Sequence, residues 1–342
     1  MRQIRVLVVE DSLLFRELLV RNLNADPGIT VVASARDPYE ARDAIIEHRP
    51  DVITLDIELP RMDGIEFLRR LIPQHPIPVV VISSLSDKVF EAMSAGAVDF
   101  VAKPANATRA QLDNFMRNEL AVKVKIASIA KVGNKKRTPL DLPRETLSEK
   151  RKDLVVAIGA STGGTEAIAT VLKEFDTDIP GVVIVQHMPA KFTEMYANRL
   201  NEKCVVRVKE AKTGDVVTPG QVLIAPGGDA HMKIIRKDGV YQVVIRQGPK
   251  VNGHCPSVDV LFESVAQVAG DKAVGIILTG MGGDGSKGLL AMRNAGAHTI
   301  GQDESSCVVY GMPKVAYDIG AVEYQERLPD IAKKTYSLLS KM

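Results

Sequence analysis

The chain has 342 residues and a formal net charge of +2, with 45% hydrophobic and 25% charged residues. This length exceeds one ordinary domain, and the composition is that of a globular protein. The small net charge gives no reason to expect a nucleic-acid partner, and no apolar run approaches the ~20 residues that span a bilayer, so we expect no direct membrane insertion.

Cysteine usage and the first residues bear on the location of the protein. The three cysteines, Cys204, Cys255 and Cys307, are widely spaced and form neither a disulfide framework nor a metal-type C-x-x-C pair. A reducing compartment fits this usage. The first residues, MRQIR, run directly into a short apolar stretch, unlike a secretory signal peptide. We therefore expect a cytoplasmic protein.

Residues 1–104 alternate short apolar runs with amphipathic stretches, which predicts strands connected by helices. The predicted strands are Ile4–Val9, Thr30–Ala35, Asp51–Asp56, Pro78–Ser83 and Asp99–Lys103. Five parallel strands with crossover helices form a doubly wound α/β sheet of flavodoxin-like (βα)5 type.

A helix and a polar segment follow this sheet. Apolar spacing predicts a helix over residues 108 to about 130, and we expect this helix to leave the first domain. Residues 131–152 are polar, basic and interrupted by two prolines, which is typical of a linker. The expected organisation is a first domain over residues 1–125, a basic linker over 126–152 and a second domain over 153–342.

The second domain again shows strand and helix alternation. Four predicted strands lie in DLVVAIGAS (153–161), PGVVIVQHM (180–188), VLIAPGG (222–228) and KAVGIILTG (272–280). Residues 231–247 predict a β-hairpin that turns at Asp238-Gly239. The expected fold is a second doubly wound, mostly parallel α/β domain that carries this hairpin.

Polar side chains collect where the predicted strands of the first domain end. These residues are Glu10, Asp11, Asp56, Ser83 and Lys103. The carboxyl ends of parallel strands share one edge, so we expect the five side chains to lie together. Carboxylates that meet in one pocket favour a hard cation such as Mg²⁺, and an aspartate beside Mg²⁺ and lysine can accept a phosphoryl group. Solvated strand ends are the alternative interpretation.

The segments VVEDS, TLDIELPRMDGIEFL, VVVISS and GAVDFVAKP resemble the receiver domain of response regulators over essentially all of residues 1–104. The resemblance implies that Asp56 takes phosphate from a histidine kinase. It also implies that Asp11, Asp56 and the backbone carbonyl of Glu58 hold Mg²⁺, with help from Glu10. Ser83 and Phe100 would form the switch pair. The Lys103-Pro104 bond is expected to be cis by the same resemblance.

The second domain presents a candidate nucleophile with a base and a carboxylate. GASTG at 159–163 fits G-x-S-x-G after a buried strand, which places Ser161 at a strand-to-helix turn. His187 follows the next predicted strand, and Asp284 follows the strand AVGIIL. Three parallel strands would therefore bring a hydroxyl, an imidazole and a carboxylate to one edge. The order Ser–His–Asp differs from that of the α/β-hydrolases.

The segment around Asp284 has a second interpretation. Gly280, Gly282 and Gly285 match the G-x-G-x-x-G pattern of dinucleotide-binding folds, and Asp303 lies about 20 residues further on. Against this interpretation, the motif leaves few residues for a cofactor half-site and leaves Ser161 unexplained. A third hypothesis is a receiver-driven interaction module whose second domain is not catalytic.

Six blocks of the second domain, IGASTGG, VQHMP, APGGDAHM, NGHCPSVDVLF, LTGMGGDG and SSCVVYGMP, resemble the chemotaxis protein-glutamate methylesterases, the CheB family. The resemblance covers residues 153 to about 321 and, with receiver and linker, nearly the whole chain. One departure is that Gly253 and Cys255 stand where the family usually carries basic residues, which puts in doubt the electrostatic help of this loop in receptor docking.

The resemblance implies a Ser161, His187 and Asp284 triad that needs no cofactor. Met281 would supply an oxyanion-hole N–H, with Thr162 and His231 in supporting roles. The implied reaction is hydrolysis of glutamate methyl esters on methyl-accepting chemotaxis receptors, with glutamine deamidation as a second activity. A kinase of CheA type would supply the phosphate, and the unphosphorylated receiver would inhibit the esterase.

Overall fold

The computed structural model describes residues 2–84, 88–104, 107–133 and 153–342. The chain divides into two compact units, Met1–Thr138 and Pro139–Met342. Most of the predicted linker, residues 134–152, lies outside the described residues. Within the described ranges, none of the helices has the length and apolar character needed to cross a membrane.

The first unit is a five-stranded parallel sheet with helices around it. Its strands are β1 (Ile4–Val9), β2 (Ile29–Ala35), β3 (Val52–Asp56), β4 (Val79–Ser83) and β5 (Asp99–Ala102). Its first four helices are α1 (Leu13–Asn24), α2 (Pro38–His48), α3 (Gly64–Gln74) and α4 (Lys88–Ser94). The strand order is β2-β1-β3-β4-β5, which confirms the predicted doubly wound fold.

The sheet forms because its central strands are continuous apolar runs. Every residue of β3 and β4 is buried, as expected for parallel strands covered by helices on both faces. Ser12, Asp37 and Asp63 cap the N-termini of α1, α2 and α3 by accepting backbone N–H groups. The carboxyl ends of β1, β3, β4 and β5 consequently share one edge.

The helical segment after β5 packs on the first sheet. It consists of α5 (Arg109–Asn114), a π-helical stretch (Phe115–Leu120) and α6 (Ala121–Ala127). Its apolar residues Phe115, Met116, Leu120 and Val124 are buried, and α6 contacts β3, β4 and β5. The expectation that this helix leaves the first domain was therefore wrong, because its apolar face is buried against the sheet.

The peptide bond between Lys103 and Pro104 is trans, so the expected cis bond was wrong. The trans form of an X–Pro bond is lower in free energy by about 0.5–1 kcal/mol unless the surroundings enforce the other isomer. Among the described residues, the cis bond lies instead between Cys255 and Pro256.

The second unit contains a seven-stranded parallel sheet and a two-stranded hairpin. Its strands are β6 (Val155–Ala160), β7 (Gly181–Gln186), β8 (Arg207–Glu210), β9 (Gln221–Ile224), β10 (Ala230–Lys237), β11 (Val240–Gln247), β12 (Ala273–Ile277), β13 (His298–Gln302) and β14 (Tyr324–Glu326). Its helices are α7 (Gly164–Leu172), α8 (Phe192–Lys203), α9 (Val258–Ala269), α10 (Ser286–Asn294), α11 (Met312–Asp318) and α12 (Ile331–Leu339), with short 3₁₀ turns at Gly270–Lys272 and Leu328–Asp330.

The strand order places the candidate site at the middle of this sheet. The order is β14-β13-β12-β6-β7-β9-β8, so β6 lies between β12 and β7. Gly159 of β6 pairs with both Ile277 and Val185. The predicted doubly wound domain and its hairpin are confirmed, while β8, β13 and β14 were not predicted.

Tyr336 fastens α12 to the segment between α7 and β7. Its hydroxyl accepts the Asp176 N–H at 2.8 Å and donates to Asp178 Oδ1 at 3.3 Å. Its ring packs edge-to-face on Phe175, with ring centroids 6.0 Å apart. One side chain thus links the C-terminal helix to the segment that leads into β7.

We expect Tyr336→Phe to lower the free energy of unfolding by about 1 kcal/mol, because a half-buried N–H loses its acceptor. Urea-induced unfolding of the chain measures the change. Tyr317 is 53% exposed, so Tyr317→Phe is a control that should change stability by less than about 0.5 kcal/mol. Equal unfolding free energies for the two variants would contradict the proposed fastening.

Candidate active site

Ser161 lies at the turn between β6 and α7. Its backbone N–H donates to the Thr279 carbonyl at 3.0 Å, and its carbonyl accepts the Gly164 N–H at 2.7 Å. These bonds hold the turn between the neighbouring strand and the first residue of α7. The side chain is partly exposed. The serine is therefore fixed through its backbone at the N-terminus of a helix.

His187 follows β7 and is paired with Asp284. The backbone N–H of His187 donates to the Ala160 carbonyl at 3.1 Å, which keeps the residue beside the nucleophile's strand. Its Nε2 lies 2.8 Å from Asp284 Oδ2. Its Nδ1 is buried and has no hydrogen-bond partner among the described residues. The ring stacks face to face on His254, with centroids 3.8 Å apart and planes 7° apart.

Asp284 lies in the loop after β12, and its carboxylate is buried against the N-terminus of α9. Only 1% of the surface of this residue is exposed. The Ser257 hydroxyl donates to Oδ1 at 2.7 Å and the Val258 N–H donates to Oδ2 at 2.7 Å. The Asp259 N–H and the Asn252 amide also donate to Oδ1, at 3.3 and 3.0 Å. Helix N-termini favour negative charge because their first N–H groups have no partner within the helix.

These contacts keep Asp284 ionised and determine which nitrogen of His187 faces it. Burial raises the pKa of Asp284, but hydrogen bonds from His187, Asn252 and Ser257 outweigh it and hold the pKa well below the ordinary aspartate value. A carboxylate only accepts hydrogen bonds, so Nε2 of His187 must carry the proton. The Nδ1 atom then has a free lone pair and is the basic atom of the ring.

The structure joins the imidazole and the carboxylate directly but does not join the serine hydroxyl to them. Within the described ranges, no hydrogen bond connects the Ser161 hydroxyl with His187. The two residues are instead held side by side by Gln186, whose amide donates to the Ser161 carbonyl at 2.9 Å and to the His187 carbonyl at 3.1 Å. Catalytic hydrogen bonds commonly tighten only when substrate is bound.

The loop after β12 lies against the nucleophile. A Cβ added to Gly280 would be 2.7 Å from Ser161 Cβ and 2.4 Å from Met312 Sδ, so only glycine fits there without displacement. The next residue, Met281, is 41% exposed, and its N–H donates to no protein group within the described part of the chain. Met281 directly follows Gly280, the residue whose Cβ position lies against Ser161.

Hydrogen bonds that involve Thr162, Thr279 and His231 hold the segments around the site in place. The buried Thr279 hydroxyl bonds the Thr162 carbonyl at 3.0 Å and accepts the Val309 N–H at 2.9 Å. His231 accepts the Ser257 N–H on Nδ1 at 3.1 Å and lies 2.9 Å from the Pro249 carbonyl through Nε2. His231 thus orients Ser257, which in turn holds Asp284.

Sequence reasoning missed several residues of this site. Gln186, Ser257 and Thr279 make the contacts described above, and Asn252 and Asp259 form a further group around Asp284. Two signals were present: Ser257 caps α9 by accepting the Val260 N–H, and Asn-Gly at 252–253 is a hairpin-type turn. Neither signal identifies which distant side chain is bound.

The acidic residue that the dinucleotide interpretation requires, Asp303, follows β13 and is already hydrogen-bonded within the protein. Asp303 accepts the Ser306 N–H at 3.1 Å and the hydroxyls of Ser305 and Ser306. These bonds stabilise its own turn and lower the pKa of Asp303, against the effect of burial. The carboxylate expected to bind a ribose is therefore engaged within the protein.

The acidic pocket of the first unit forms as predicted from the strand ends. Lys103 Nζ lies 2.5 Å from Asp56 Oδ2 and 2.9 Å from Glu10 Oε2. Carboxylate oxygens of Glu10, Asp11 and Asp56 all lie within 4.8 Å of one another. Such an oxygen-only set fits a hard divalent cation such as Mg²⁺.

Burial dominates the electrostatics of this pocket. It raises the pKa of Glu10 to about 7, with help from the Asp56 charge and despite Lys103. It also raises the pKa of Asp56, again against the effect of Lys103. Burial lowers the pKa of Lys103, but hydrogen bonds to both carboxylates outweigh this and raise it. One ammonium leaves the three carboxylates short of positive charge.

The remaining predicted residues of the first unit lie around this pocket. Ser83 ends β4 and is buried, and its carbonyl accepts the Lys103 N–H at 2.7 Å. Phe100 is buried in β5 and packs edge-to-face on Phe90 at 6.2 Å. The backbone N–H of Glu58 donates to Asp56 Oδ1 at 3.2 Å.

Both units match known protein families. Residues 156–335 match the CheB methylesterase family, and residues 6–113 match the response regulator receiver domain. The catalytic domain of Thermotoga maritima CheB methylesterase, known from a crystal structure, is 36% identical, with a TM-score of 0.53 over 54% of this chain and 98% of that one.

Full-length relatives show the same relationship. A protein of Syntrophomonas wolfei subsp. wolfei, named protein-glutamate methylesterase/protein-glutamine glutaminase 2, is 59% identical over 342 residues, covering 100% of this chain and 99% of the relative. A protein of Syntrophotalea carbinolica with the name protein-glutamate methylesterase/protein-glutamine glutaminase is 53% identical over 350 residues, covering 99% and 98%.

We expect Gly280→Ala to slow the labelling of Ser161 by a serine-directed phosphonate about 100-fold, because the added methyl displaces the turn that carries the nucleophile. Mass spectrometry of the labelled peptide against time measures the rate. Gly283→Ala on the same loop is the matched control, since its Cβ would contact Val315 at 3.2 Å without meeting Ser161. Similar rates for the two variants would exclude the close packing of this loop as a cause.

Proposed function

This chain belongs to the CheB methylesterase family, and we propose that Ser161, His187 and Asp284 are its catalytic triad. The proposed reaction hydrolyses methyl esters of protein glutamate side chains to glutamate and methanol. The observation that carries this proposal is the 2.8 Å pair between His187 Nε2 and Asp284 Oδ2 beside the Ser161 turn. The names of the full-length relatives support this substrate class and support glutamine deamidation as a second activity.

The first half of the reaction forms an acyl-enzyme. The Ser161 hydroxyl attacks the ester carbonyl carbon while His187 Nδ1 takes its proton. Asp284 holds the Nε2–H and stabilises the imidazolium that results. When the tetrahedral intermediate collapses, the C–O bond to the methoxy group breaks and Nδ1 returns the proton, so methanol leaves.

The second half uses the same groups with water as the nucleophile. His187 Nδ1 deprotonates a water molecule that attacks the acyl carbon, and the Ser161 oxygen leaves with the proton. In both halves the oxyanion is stabilised by the Met281 N–H and by amides at the N-terminus of α7 other than that of Gly164, which donates to the Ser161 carbonyl. Thr162 and His231 support these groups through Thr279 and Ser257.

The first unit is the regulatory receiver of this enzyme. Asp56 accepts a phosphoryl group from a histidine kinase of CheA type, and Lys103 neutralises negative charge beside it. Asp11, Asp56 and the backbone carbonyl of Glu58 would hold Mg²⁺, with Glu10 adjacent. When bound, Mg²⁺ would neutralise charge on the transferring oxygens. No cofactor is proposed for the esterase.

Ser83 and Phe100 are the proposed switch pair, which responds to the new phosphate at the ends of β4 and β5. The substrates are methyl-accepting chemotaxis receptors, whose cytoplasmic helices carry the methylated glutamates. This places the protein in the cytoplasm and in chemotaxis adaptation. The proposed domain limits remain residues 1–125 for the receiver, 126–152 for the linker and 153–342 for the esterase.

We expect Ser161→Ala to lower methanol release from methyl-labelled receptor by at least about 10⁴-fold, because the acyl-enzyme cannot form. The assay counts volatile labelled methanol from receptor-containing membranes. Ser340→Ala, at an exposed position near the C-terminus, should release methanol at the wild-type rate. Methanol release by Ser161→Ala at a tenth of the wild-type rate or more would reject the triad.

Regulation is tested with the same assay. A fragment that begins at Asp153 should hydrolyse receptor esters faster than the unphosphorylated full-length protein, because the receiver is removed. A small phosphodonor should stimulate the full-length protein, and Asp56→Asn should abolish that stimulation. Asp43→Asn, an exposed acidic position on α2, should keep it. Equal rates for fragment and resting full-length protein would exclude inhibition by the receiver.

A further inference from the structure

A tight turn between β11 and α9 contacts both partners of the proposed nucleophile. Val251 and His254 exchange two backbone hydrogen bonds of 2.9 Å, which leaves Asn252 and Gly253 as the turn residues. Both have positive φ, 51° and 84°. Two central residues with positive φ define a type I′ turn, for which Asn-Gly is the preferred pair. We refer to residues 251–254 as the NG turn.

The first turn residue binds the carboxylate of the pair. The Asn252 amide nitrogen donates to Asp284 Oδ1 at 3.0 Å and to Asp259 Oδ2 at 2.6 Å. Asp259 is itself buried and accepts the Gly288 N–H at 2.7 Å through Oδ1. One amide therefore lies between two buried carboxylates that would otherwise repel each other, and it fixes where Asp284 points.

The last turn residue contacts the imidazole of the pair. The His254 ring lies parallel to His187 with ring centroids 3.8 Å apart, which is van der Waals contact over the whole ring face. This contact opposes any tilt of the His187 ring that would move its Nε2 away from the Asp284 carboxylate. It also excludes water from that face of the ring. The ring orientation matters because Nε2 must stay on Asp284 Oδ2, and because the proposed reaction needs Nδ1 to take the proton of Ser161.

The geometry of this turn explains why a glycine is suited to position 253. An L-residue at φ 84° is strained by about 1 kcal/mol or more, whereas glycine is not. An added Cβ would meet nothing within 4 Å, so the constraint is the backbone conformation rather than space. Glycine at this position thus makes the NG turn easier to form.

We propose that the NG turn positions the imidazole–carboxylate pair, with Asn252 acting on Asp284 and His254 acting on His187. Both are positioning residues, because neither needs to touch the ester. The proposal rests on the proposed hydrolase function. It adds that productive orientation of the pair comes from a two-residue turn outside the strands that carry the triad.

The test compares two substitutions of similar size at His254. His254→Phe keeps a planar ring on His187, and His254→Leu fills similar volume without a plane. We expect His254→Leu to lower kcat for receptor ester hydrolysis about tenfold with little change in KM, and His254→Phe to stay within about threefold of wild type. If both variants match wild type, or if both are equally slow, positioning through the stacked ring is overturned.

A second set of variants tests the contact between Asn252 and Asp284. Asn252→Ala should lower kcat at least tenfold, and the double variant Asn252→Ala/His254→Leu should lose less than the product of the single losses, because both act on one pair. Strictly multiplicative losses would overturn action through a common pair. His298→Leu removes an imidazole that pairs with Glu323 elsewhere in the domain and should leave kcat unchanged.

Two readouts separate this proposal from the function itself. If wild-type protein released no methanol, the hydrolase function would fail. The rate at which a phosphonate labels Ser161 would still rank the His254 variants. Thermal unfolding of each variant, alongside His298→Leu, identifies any loss of folding. A slow but folded His254→Leu variant supports positioning, and a folded variant with the wild-type labelling rate overturns it.

Discussion

The buried charge of Asp284 is the constraint on which the second domain depends. Taking a carboxylate out of water costs several kcal/mol, so the fold must supply compensating donors. It does so with the N-terminus of α9, the Ser257 hydroxyl, the Asn252 amide and the His187 ring. The point at which α9 begins is therefore set by the chemistry of the site as well as by the apolar packing of the helix. The pair formed by His187 and Asp284 and the first turn of α9 are therefore one structural unit.

In the acidic pocket of the receiver, the carboxylates have too few positive or hydrogen-bond donating partners, the opposite of the situation at Asp284. Asp284 has enough donors to remain ionised, whereas Glu10 and Asp56 share one ammonium, that of Lys103, and burial raises both of their pKa values. A pocket that is short of positive charge gains stability from a divalent cation and rejects a second anion without one. The surroundings of an aspartate thus lower its pKa in one domain, at Asp284, and raise it in the other, at Asp56.

The sequence predicted all five strands of the first sheet and the central strands of the second, but it did not predict β13 or the two edge strands of the second sheet, β8 and β14. Strands such as β3, β6 and β7 are buried at every residue, so their apolar runs are unmistakable. The short edge strands β8 (RVKE) and β14 (YQE) are only partly buried and have no apolar run. Their strand conformation comes from pairing with a neighbour, which is a tertiary effect that composition does not record.

The same limit applies to the site. Ser161, His187 and Asp284 could be predicted because each follows a buried strand, and the shared edge of a parallel sheet brings such positions together. Asn252, His254 and Gln186 act through contacts that depend on the path of a loop or on the rotamer of a side chain. The glycines at 280–285 permitted the alternative dinucleotide interpretation for a related reason, because one glycine-rich pattern serves any backbone that must pass close to other atoms.

The strand order explains why those glycines are needed. The nucleophile's strand β6 lies between β7 and β12, so the strands that carry His187 and Asp284 are about 10 Å apart. For these two side chains to bond each other, the chain after β12 must cross the end of β6. It passes Ser161 at Gly280 and Val258 at Gly285, and a Cβ at either position would lie within 2.7 Å of a neighbouring side chain. Close passage of this loop over Ser161 brings the Asp284 carboxylate to the His187 imidazole, so the glycines are required by the path of the chain between β12 and α10.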